Sequence, residues 1–247
     1  MINSPVTAAL KSLYWKRVRM RAAGRVKSFL KVAFPRAVRV YHDARWRLRR
    51  PPLQTVFSEI YHKNLWQDPE SVSGRGSTLA RTAAIMSYLP SLLEELDAKT
   101  LLDAACGDFN WMKHTKLGAV KYTGADVVPD LIARNRRLYG GEGRTFVVLD
   151  VTKDRLPKAD VILCRDSLIH LSFRNIHATI DNFKRAGAKH LICTTHTVVL
   201  ENTDCPDGGW RSVNLQLPPF NFPPPLKLII EDAELGKCLG VWRLDDL

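Results

Sequence analysis

One short stretch, residues 101 to 111, limits the fold of this chain more than any other. It begins with the apolar pair Leu101 and Leu102, which suits a buried parallel strand, and continues through Asp103 into a turn of small residues at Gly107. A second apolar run ends on another acid, Asp126. Ligands of open α/β sheets lie outside the carboxyl ends of the strands. The stretch therefore predicts a nucleotide-binding turn.

The spacing of the two features indicates which part of a ligand they meet. Asp126 lies 126 − 107 = 19 positions after Gly107. In dinucleotide folds a carboxylate on the second strand meets the ribose hydroxyls at roughly 20 positions. We therefore expect a ligand that carries a ribose.

The composition of the turn argues against a dinucleotide. The three glycine positions of the G-x-G-x-x-G pattern would be Ala105, Gly107 and Asn110. Asp103 and Asp108 would also place negative charge beside the phosphates. A cationic ligand fits better, because Asp103 can face an ammonium or sulfonium centre.

At these residues the chain resembles the class I S-adenosylmethionine-dependent methyltransferases, whose first motif runs acidic-x-Gly-x-Gly-x-Gly. Asp103, Gly107 and Asp126 match the family pattern, whereas Ala105 and Phe109 replace two of its glycines. The resemblance implies S-adenosyl-L-methionine as the cofactor. In size and in its Cys-Gly-Asp-Phe-Asn-Trp, Cys-Arg-Asp and Thr-Thr-His blocks, the chain is also similar to rhizobial nodulation-factor fucose 2-O-methyltransferases. An ordinary strand-turn-helix of another α/β protein is the alternative.

Length and composition fit one α/β domain with an appendage. The chain has 247 residues, of which 45% are hydrophobic, enough for a substantial core. Its five cysteines include no C-x-x-C pair, so we expect neither a disulfide framework nor a bound metal. No long apolar run or secretory signal is present, and we expect a cytoplasmic protein.

The charge is concentrated at the amino terminus. Residues 1 to 50 contain 14 Lys or Arg and one acid, Asp43, a sum of +13, so the rest of the chain carries 12 − 13 = −1. Residues 1 to 52 are interpreted as a basic helical extension, and residues 53 to 247 as the methyltransferase domain. The extension could be a solvated helix, a peripheral contact with anionic lipid at the inner membrane face, or a nucleic-acid arm.

Alternating strand and helix patterns predict a Rossmann-like, doubly wound and mostly parallel sheet of seven strands, closed by an antiparallel C-terminal hairpin. A helix over 111 to 117 is expected between the first two strands, and Ser77 or Thr78 is expected to cap the helix over 79 to 96. The expected strands are 100 to 103, 121 to 126, 144 to 149, 159 to 164 and 190 to 195, with a hairpin of 227 to 230 and 238 to 244.

Further cofactor residues are expected around this turn. Gly74 and Gly76 lie in a serine-rich loop with free backbone N–H groups, which could hold the methionine carboxylate. Asp150 follows the third strand, where an acid of the family often contacts the adenine amino group. Arg165 follows the fourth strand, at the edge where the transferable methyl should lie.

Methyl transfer to a hydroxyl needs a base near the ends of the fourth and fifth strands. His170 and His196 are the candidates, with Asp166 either orienting a histidine or acting itself. Neither the Asn/Asp-Pro-Pro-Tyr/Phe motif of amino-group DNA methyltransferases nor a Pro-Cys nucleophile of the cytosine-C5 type occurs at the expected place.

The irregular segment 201 to 225 is interpreted as a substrate-recognition lid. Its polar and aromatic residues Asn202, Trp210, Arg211 and Asn214 are the candidate substrate contacts. We expect an O-methyltransferase that acts on a hydroxyl of a glycan or glycolipid, or on another small molecule. An RNA methyltransferase and a non-catalytic recruitment protein remain the alternatives, and the sequence does not give the oligomeric state.

Overall fold

The structure, a computed structural model, describes residues 51 to 247. The basic extension predicted for residues 1 to 52 therefore lies outside the described residues, apart from Pro51 and Pro52. Within residues 51 to 247, none of the helices has the length and apolar character needed to span a membrane.

A seven-stranded sheet forms the centre of the domain, in the order β3-β2-β1-β4-β5-β7-β6. The first five strands are parallel, and β7 lies antiparallel to both β5 and β6. This confirms the predicted doubly wound sheet with its C-terminal hairpin. The strands are β1 (Thr100–Ala104), β2 (Lys121–Asp126), β3 (Arg144–Val148), β4 (Val161–Cys164), β5 (His190–His196), β6 (Lys227–Asp232) and β7 (Lys237–Arg243).

Helices cover both faces of this sheet. They are α1 (Leu53–His62), α2 (Leu79–Glu95), α3 (Pro129–Tyr139) and α4 (Phe173–Ala186). Because successive strand residues point to opposite faces, Leu101 packs in the core beneath α2 and α3, while Leu102 packs in the core beneath α4. Both leucines are fully buried, as a central parallel strand requires.

Two local predictions are wrong. The predicted helix over 111 to 117 is a single 3₁₀ turn, Met112–His114, because Thr115 has an extended backbone and a buried side chain. Neither Ser77 nor Thr78 caps α2 through its side chain. The carboxylate of Glu70 accepts the Leu79 N–H at 2.7 Å and takes that place.

The segment predicted as a lid is packed rather than open. Val213 and Leu215 are fully buried, and Phe222 packs edge-on against Trp242 of β7 with ring centroids 5.3 Å apart. Phe220 packs in the same way against Phe173 of α4. Residues 211 to 222 of this segment therefore contribute side chains to the core beneath α4, whereas most of residues 201 to 210 are exposed or half-buried.

Asp160 links the starts of three strands at the amino edge of the sheet. Its Oδ2 atom accepts hydrogen bonds from Lys99 N, Thr100 N and Thr100 Oγ1 at 2.9, 3.0 and 2.8 Å. Its backbone carbonyl accepts from Lys189 N and His190 N, at the start of β5. Asp160 therefore connects the first residues of β1 and β5 to the start of β4.

Replacing this carboxylate should destabilise the domain without touching the opposite edge. We expect Asp160→Ala to lower the free energy of unfolding by about 1 to 3 kcal/mol, because three donors lose their acceptor. Urea unfolding followed by circular dichroism measures this. Asp97→Asn is the matched control, because the Asp97 carboxylate on the same edge pairs only with exposed Lys99 among the described residues. Asn also tolerates the left-handed backbone of position 97, where φ is 48°. Equal stability of the two variants would contradict the assigned role.

Candidate functional site

A cavity of about 470 Å³ lies at the carboxyl edge of the sheet, in the size range of small-molecule sites. Its walls come from α1, the loop 71 to 77, the turn after β1, the ends of β2, β4 and β5, and the C-terminal hairpin. The predicted site residues that line it are Asp103, Ala105, Gly107, Asp126, Asp150, Arg165, Gly74, Gly76, Asp166, His170, His196 and Trp210.

The turn after β1 brings bare backbone to the cavity. Gly107 has a φ of 55°, a conformation that favours glycine, and its N–H donates to Asp126 Oδ2 at 3.1 Å. A Cβ atom at Gly107 would lie 2.3 Å from Ser73 Oγ, so the loop 71 to 77 packs directly on this glycine. Only the absence of a side chain at position 107 permits that contact.

Two carboxyl groups are buried at the ends of β1 and β2. Burial raises the pKa of Asp103 to about 7, although Tyr122 Oη donates to its Oδ2 at 2.7 Å. Burial likewise raises the pKa of Asp126 to about 6, although hydrogen bonds from the N–H groups of Val128 and Gly107 lower it. A ligand cation or a pair of hydroxyls in the cavity would favour the ionised forms.

The loop 71 to 77 is fastened to the turn by Asp108. Its Oδ2 accepts from Ser71 Oγ and Val72 N at 2.9 and 3.0 Å, and its own N–H donates to Ser73 Oγ at 2.8 Å. At the far end of the loop, the carbonyl of Gly76 accepts from Arg165 Nη1 at 2.9 Å. These bonds hold Gly74 and Gly76 against the cavity.

Four charged side chains form a buried cluster in the cavity wall. Arg165 Nε donates to Glu231 Oε1 at 2.8 Å, and Arg165 Nη1 lies 3.3 Å from Asp166 Oδ2. Lys237 Nζ lies 2.6 Å from Asp166 Oδ2 and 3.3 Å from Glu231 Oε2, the latter an ion pair without hydrogen-bond geometry. The cluster pairs two cations with two anions, so its formal charge is zero.

This cluster bears on the two predicted roles of Asp166. Burial alone would raise its pKa, but the charges of Arg165 and Lys237 lower it to about 2. A carboxylate that stays ionised to such low pH is a very weak proton acceptor. This favours the other predicted role, in which Asp166 orients a histidine, since its charge lies close enough to His170 to raise the pKa of that ring. Both roles of Asp166 stay predictions.

The two histidines differ in their environment. His170 Nδ1 lies 2.7 Å from the carbonyl of Gly209, which can only accept, so Nδ1 carries the proton and Nε2 is left as an acceptor. Burial lowers the pKa of His170, and the ring of Trp66 packs against it at 5.0 Å. His196 is 2% exposed and makes long contacts of 3.4 Å to the N–H and carbonyl of Val213.

Three of the four predicted substrate residues form hydrogen bonds to the backbone and lie outside the cavity lining. Arg211 is buried and donates to the carbonyls of Leu168 and Leu171 at 2.8 and 2.5 Å. The side-chain amides of Asn202 and Asn214 bond to the backbone of their own segment. None of the three lines the cavity. Trp210 does, with 61% of the residue exposed.

The Asp150 carboxylate forms hydrogen bonds and an ion pair with residues that follow it closely in sequence. Its Oδ1 accepts from Thr152 N and Oγ1 at 3.0 and 2.6 Å, and its Oδ2 lies 3.1 Å from Lys153 Nζ. It therefore caps the turn after β3 while also lining the cavity. Its predicted contact with adenine stays a prediction.

Several cavity residues escaped the sequence analysis: Trp66, Ser73, Glu231 and Lys237. The position of Glu231 could have been predicted from the sequence, because an acid near the end of β6 lies at the carboxyl edge of the sheet, where ligands bind. The sequence around Trp66 and Ser73 contains no such indication, because only long-range packing brings these two residues over the turn after β1.

Among residues 51 to 247, no group of His, Cys, Asp and Glu side chains is arranged to hold a metal ion.

Solved structures of methyltransferases share this fold. Human N-acetylserotonin methyltransferase in complex with S-adenosylmethionine is 13% identical, with a TM-score of 0.55 over 80% of this chain and 61% of that enzyme. The N-methyltransferase NodS of Bradyrhizobium japonicum, bound to S-adenosylhomocysteine, is 16% identical, with a TM-score of 0.54 over 74% of this chain and 97% of NodS.

A third similar structure is the 1,6-didemethyltoxoflavin-N1-methyltransferase of Burkholderia thailandensis. It is 17% identical, with a TM-score of 0.52 over 77% of this chain and 86% of that enzyme. The chain thus spans less than two thirds of the human enzyme but most of the two bacterial ones. No protein-family model and no curated protein sequence matches it. From its sheet order and these likenesses, the chain has the fold of the class I S-adenosylmethionine-dependent methyltransferases.

Proposed function

We propose that this protein is an S-adenosylmethionine-dependent O-methyltransferase in which His170 removes the acceptor proton. The observation that carries the proposal is the pairing, within one cavity, of a buried carboxyl at the end of β2 with a histidine that follows β4. Two strand spacings, roughly 10 Å, separate the ends of β2 and β4 in the sheet. That separation suits a cofactor whose ribose and reactive methyl lie several bonds apart.

The cavity residues fit this cofactor chemically. Asp126 would accept hydrogen bonds from the ribose hydroxyls, and Asp103 would face the positive charge of the methionine end. The elevated pKa values of both carboxyls mean that their ionisation is costly in the free protein, and a cation or hydroxyl pair offsets that cost. The bound cofactor would supply an electrophilic methyl group, and the protein would hold the acceptor in line with it.

His170 is arranged to act as a general base. The Gly209 carbonyl fixes the Nδ1–H tautomer, burial keeps the ring neutral, and Nε2 is left to accept a proton. Asp166 stays ionised beside it and stabilises the imidazolium once the proton arrives. His196 is the second candidate, and its deeper burial and longer contacts support it less.

We propose a hydroxyl of a glycan or glycolipid as the acceptor. Trp66 and Trp210 both line the cavity, and aromatic rings suit the apolar faces of sugars. The ion cluster in the cavity wall favours an uncharged polar acceptor, because its net charge is zero and it would not compensate the charge of a charged acceptor. Its members are Arg165, Asp166, Glu231 and Lys237. The basic extension supports an acceptor presented at the cytoplasmic membrane surface, and RNA is the alternative.

Removal of the ribose contact should weaken cofactor binding. Losing a hydrogen bond to a charged group costs about 1.5 to 3 kcal/mol, so Asp126→Ala should reduce the affinity for S-adenosylmethionine about tenfold or more by calorimetry. Asp130→Ala is the matched control, because Asp130 is an exposed acid at the start of α3 that does not line the cavity.

The same titration has an expected pH dependence. Affinity should rise with pH through about 6 as Asp126 ionises, and this rise should be smaller in the variant. Unchanged affinity in Asp126→Ala would remove the main support for the proposed cofactor site.

Loss of the base should lower the rate but not cofactor affinity. We expect His170→Ala to reduce methyl transfer from labelled S-adenosylmethionine to a glycolipid extract by about 10² to 10⁴. The wild-type rate should rise as His170 loses its proton, at a pH below its usual pKa of 6.5. His177→Ala on α4 is the control, since this histidine packs on Phe220 outside the cavity. Full activity in both His170→Ala and His196→Ala would show that neither ring is the base.

The extension should be separable from the site, because its excess charge precedes Pro51 and every predicted cofactor residue follows it. As a peripheral anchor, its Lys and Arg side chains would each contribute about 1 kcal/mol near anionic headgroups. Deletion of residues 1 to 50 should abolish co-sedimentation with phosphatidylserine vesicles and leave S-adenosylmethionine affinity unchanged. A full-length protein that ignores these vesicles, but binds RNA with a steep salt dependence, would favour an RNA methyltransferase.

A further inference from the structure

A second cleft, of about 670 Å³, lies at the amino edge of the sheet, away from the catalytic cavity. The loop of residues 113 to 120 forms one wall, and the turn of residues 140 to 144 forms the other. Among the described residues, the two cavities have no lining residue in common. We propose that this cleft binds the phosphoryl group of a small phosphorylated ligand.

The cleft gathers positive charge without matching acids. Lys113, Lys116 and Arg144 line it together with His114, and Glu142 is the acid among its lining residues. Within residues 51 to 247, none of the three cations forms an ion pair with a carboxylate. The chain beyond residue 50 sums to 12 − 13 = −1, so this local excess does not reflect a basic domain.

The cationic side chains also keep donors available. Lys113 Nζ bonds to the neutral side-chain oxygen of Asn110 at 3.1 Å, which does not neutralise its charge. The guanidinium carbon of Arg144 lies 5.8 Å from the centre of the Phe109 ring. That contact with a ring face orients the guanidinium and leaves its N–H groups at the edge for an anion.

The turn of residues 140 to 144 adds backbone donors. Gly141 and Arg144 exchange backbone hydrogen bonds, so Glu142 and Gly143 form the tip of the turn, and the N–H groups of these two make no hydrogen bond within the described residues. A Cβ atom at Gly118, Gly141 or Gly143 would meet no atom within 4 Å. A ligand can therefore approach the backbone closely from the open side, as in anion-binding nests.

A buried hydroxyl in the same wall lacks a partner. Thr115 is 3% exposed, lines the cleft, and its Oγ1 makes no hydrogen bond among the described residues. An unsatisfied buried hydroxyl costs free energy, and an acceptor atom from a ligand would remove that cost. Lys113, Thr115 and Lys116 all belong to the loop wall of the cleft.

The donor set favours a phosphoryl group over a carboxylate. Three cations, a hydroxyl and two backbone N–H groups offer more donors than the two oxygens of a carboxylate accept. A terminal phosphoryl group has three acceptor oxygens and a charge close to −2 at neutral pH. It therefore matches both the number and the charge of the groups around the cleft.

The test uses the full-length ¹⁵N-labelled protein titrated with inorganic phosphate and with pyrophosphate, against sodium chloride at equal ionic strength. We expect saturable amide shifts confined, within residues 51 to 247, to residues 113 to 118 and 140 to 144. The double variant Lys116→Ala, Arg144→Ala should weaken binding about tenfold or more, since it removes two charge-assisted contacts. Thr115→Val should weaken it with the fold unchanged. Lys158→Ala is the control, because Lys158 is an exposed lysine outside the cleft.

Three outcomes would overturn the proposal. The first is the absence of saturable shifts at the cleft, and the second is shifts that are equal in the double variant and the wild type. The third is a cleft that responds to an RNA oligonucleotide but not to pyrophosphate, which would assign it to a nucleic-acid backbone. S-adenosylmethionine affinity should be the same in all these variants, so this proposal and the catalytic one can fail separately.

Discussion

The contact between the loop 71 to 77 and the turn after β1 organises the site. It exists because Gly107 has no side chain and Asp108 offers both carboxylate oxygens and its N–H to neighbours. The loop in turn places Gly76 beside Arg165 and Asp166, so the ends of β1 and β4 are covered by one segment. A larger residue at position 107 would displace this loop and open the region where the ribose and the methyl group are proposed to lie.

The C-terminal hairpin completes the cavity through charge rather than through apolar packing. Glu231 and Lys237 reach from β6 and β7 to Arg165 and Asp166 at the end of β4. Removing one member would leave one charge uncompensated among the other three, which is far more costly than a buried pair is stabilising. The cluster therefore holds the end of the cavity at β4 in one geometry, and it keeps Asp166 charged near His170.

The sequence predicted the architecture well because the apolar strand patterns and their acidic ends are local signals. Asp103, Gly107 and Asp126 reach the cavity since parallel strands end at the same edge. Arg211, Asn202 and Asn214 were assigned from residue type, and residue type cannot distinguish a ligand contact from a bond to a nearby carbonyl. Trp66 and Lys237 depend on contacts over long sequence distances, which no local pattern encodes.

The acids of the site affect stability in opposite directions. Asp103 and Asp126 have pKa values in the folded protein that are raised to about 7 and 6. Their contribution to the free energy of unfolding is therefore present at a pH below their pKa values in the unfolded chain. It is lost as the pH rises through 6 to 7. Asp166, with a pKa lowered to about 2, contributes above its unfolded value and loses that contribution only in acid. At neutral pH the first two carboxyls therefore weaken the ligand-free protein. A cationic, ribose-bearing ligand would offset that loss, so the groups that cost stability are the ones proposed to bind it.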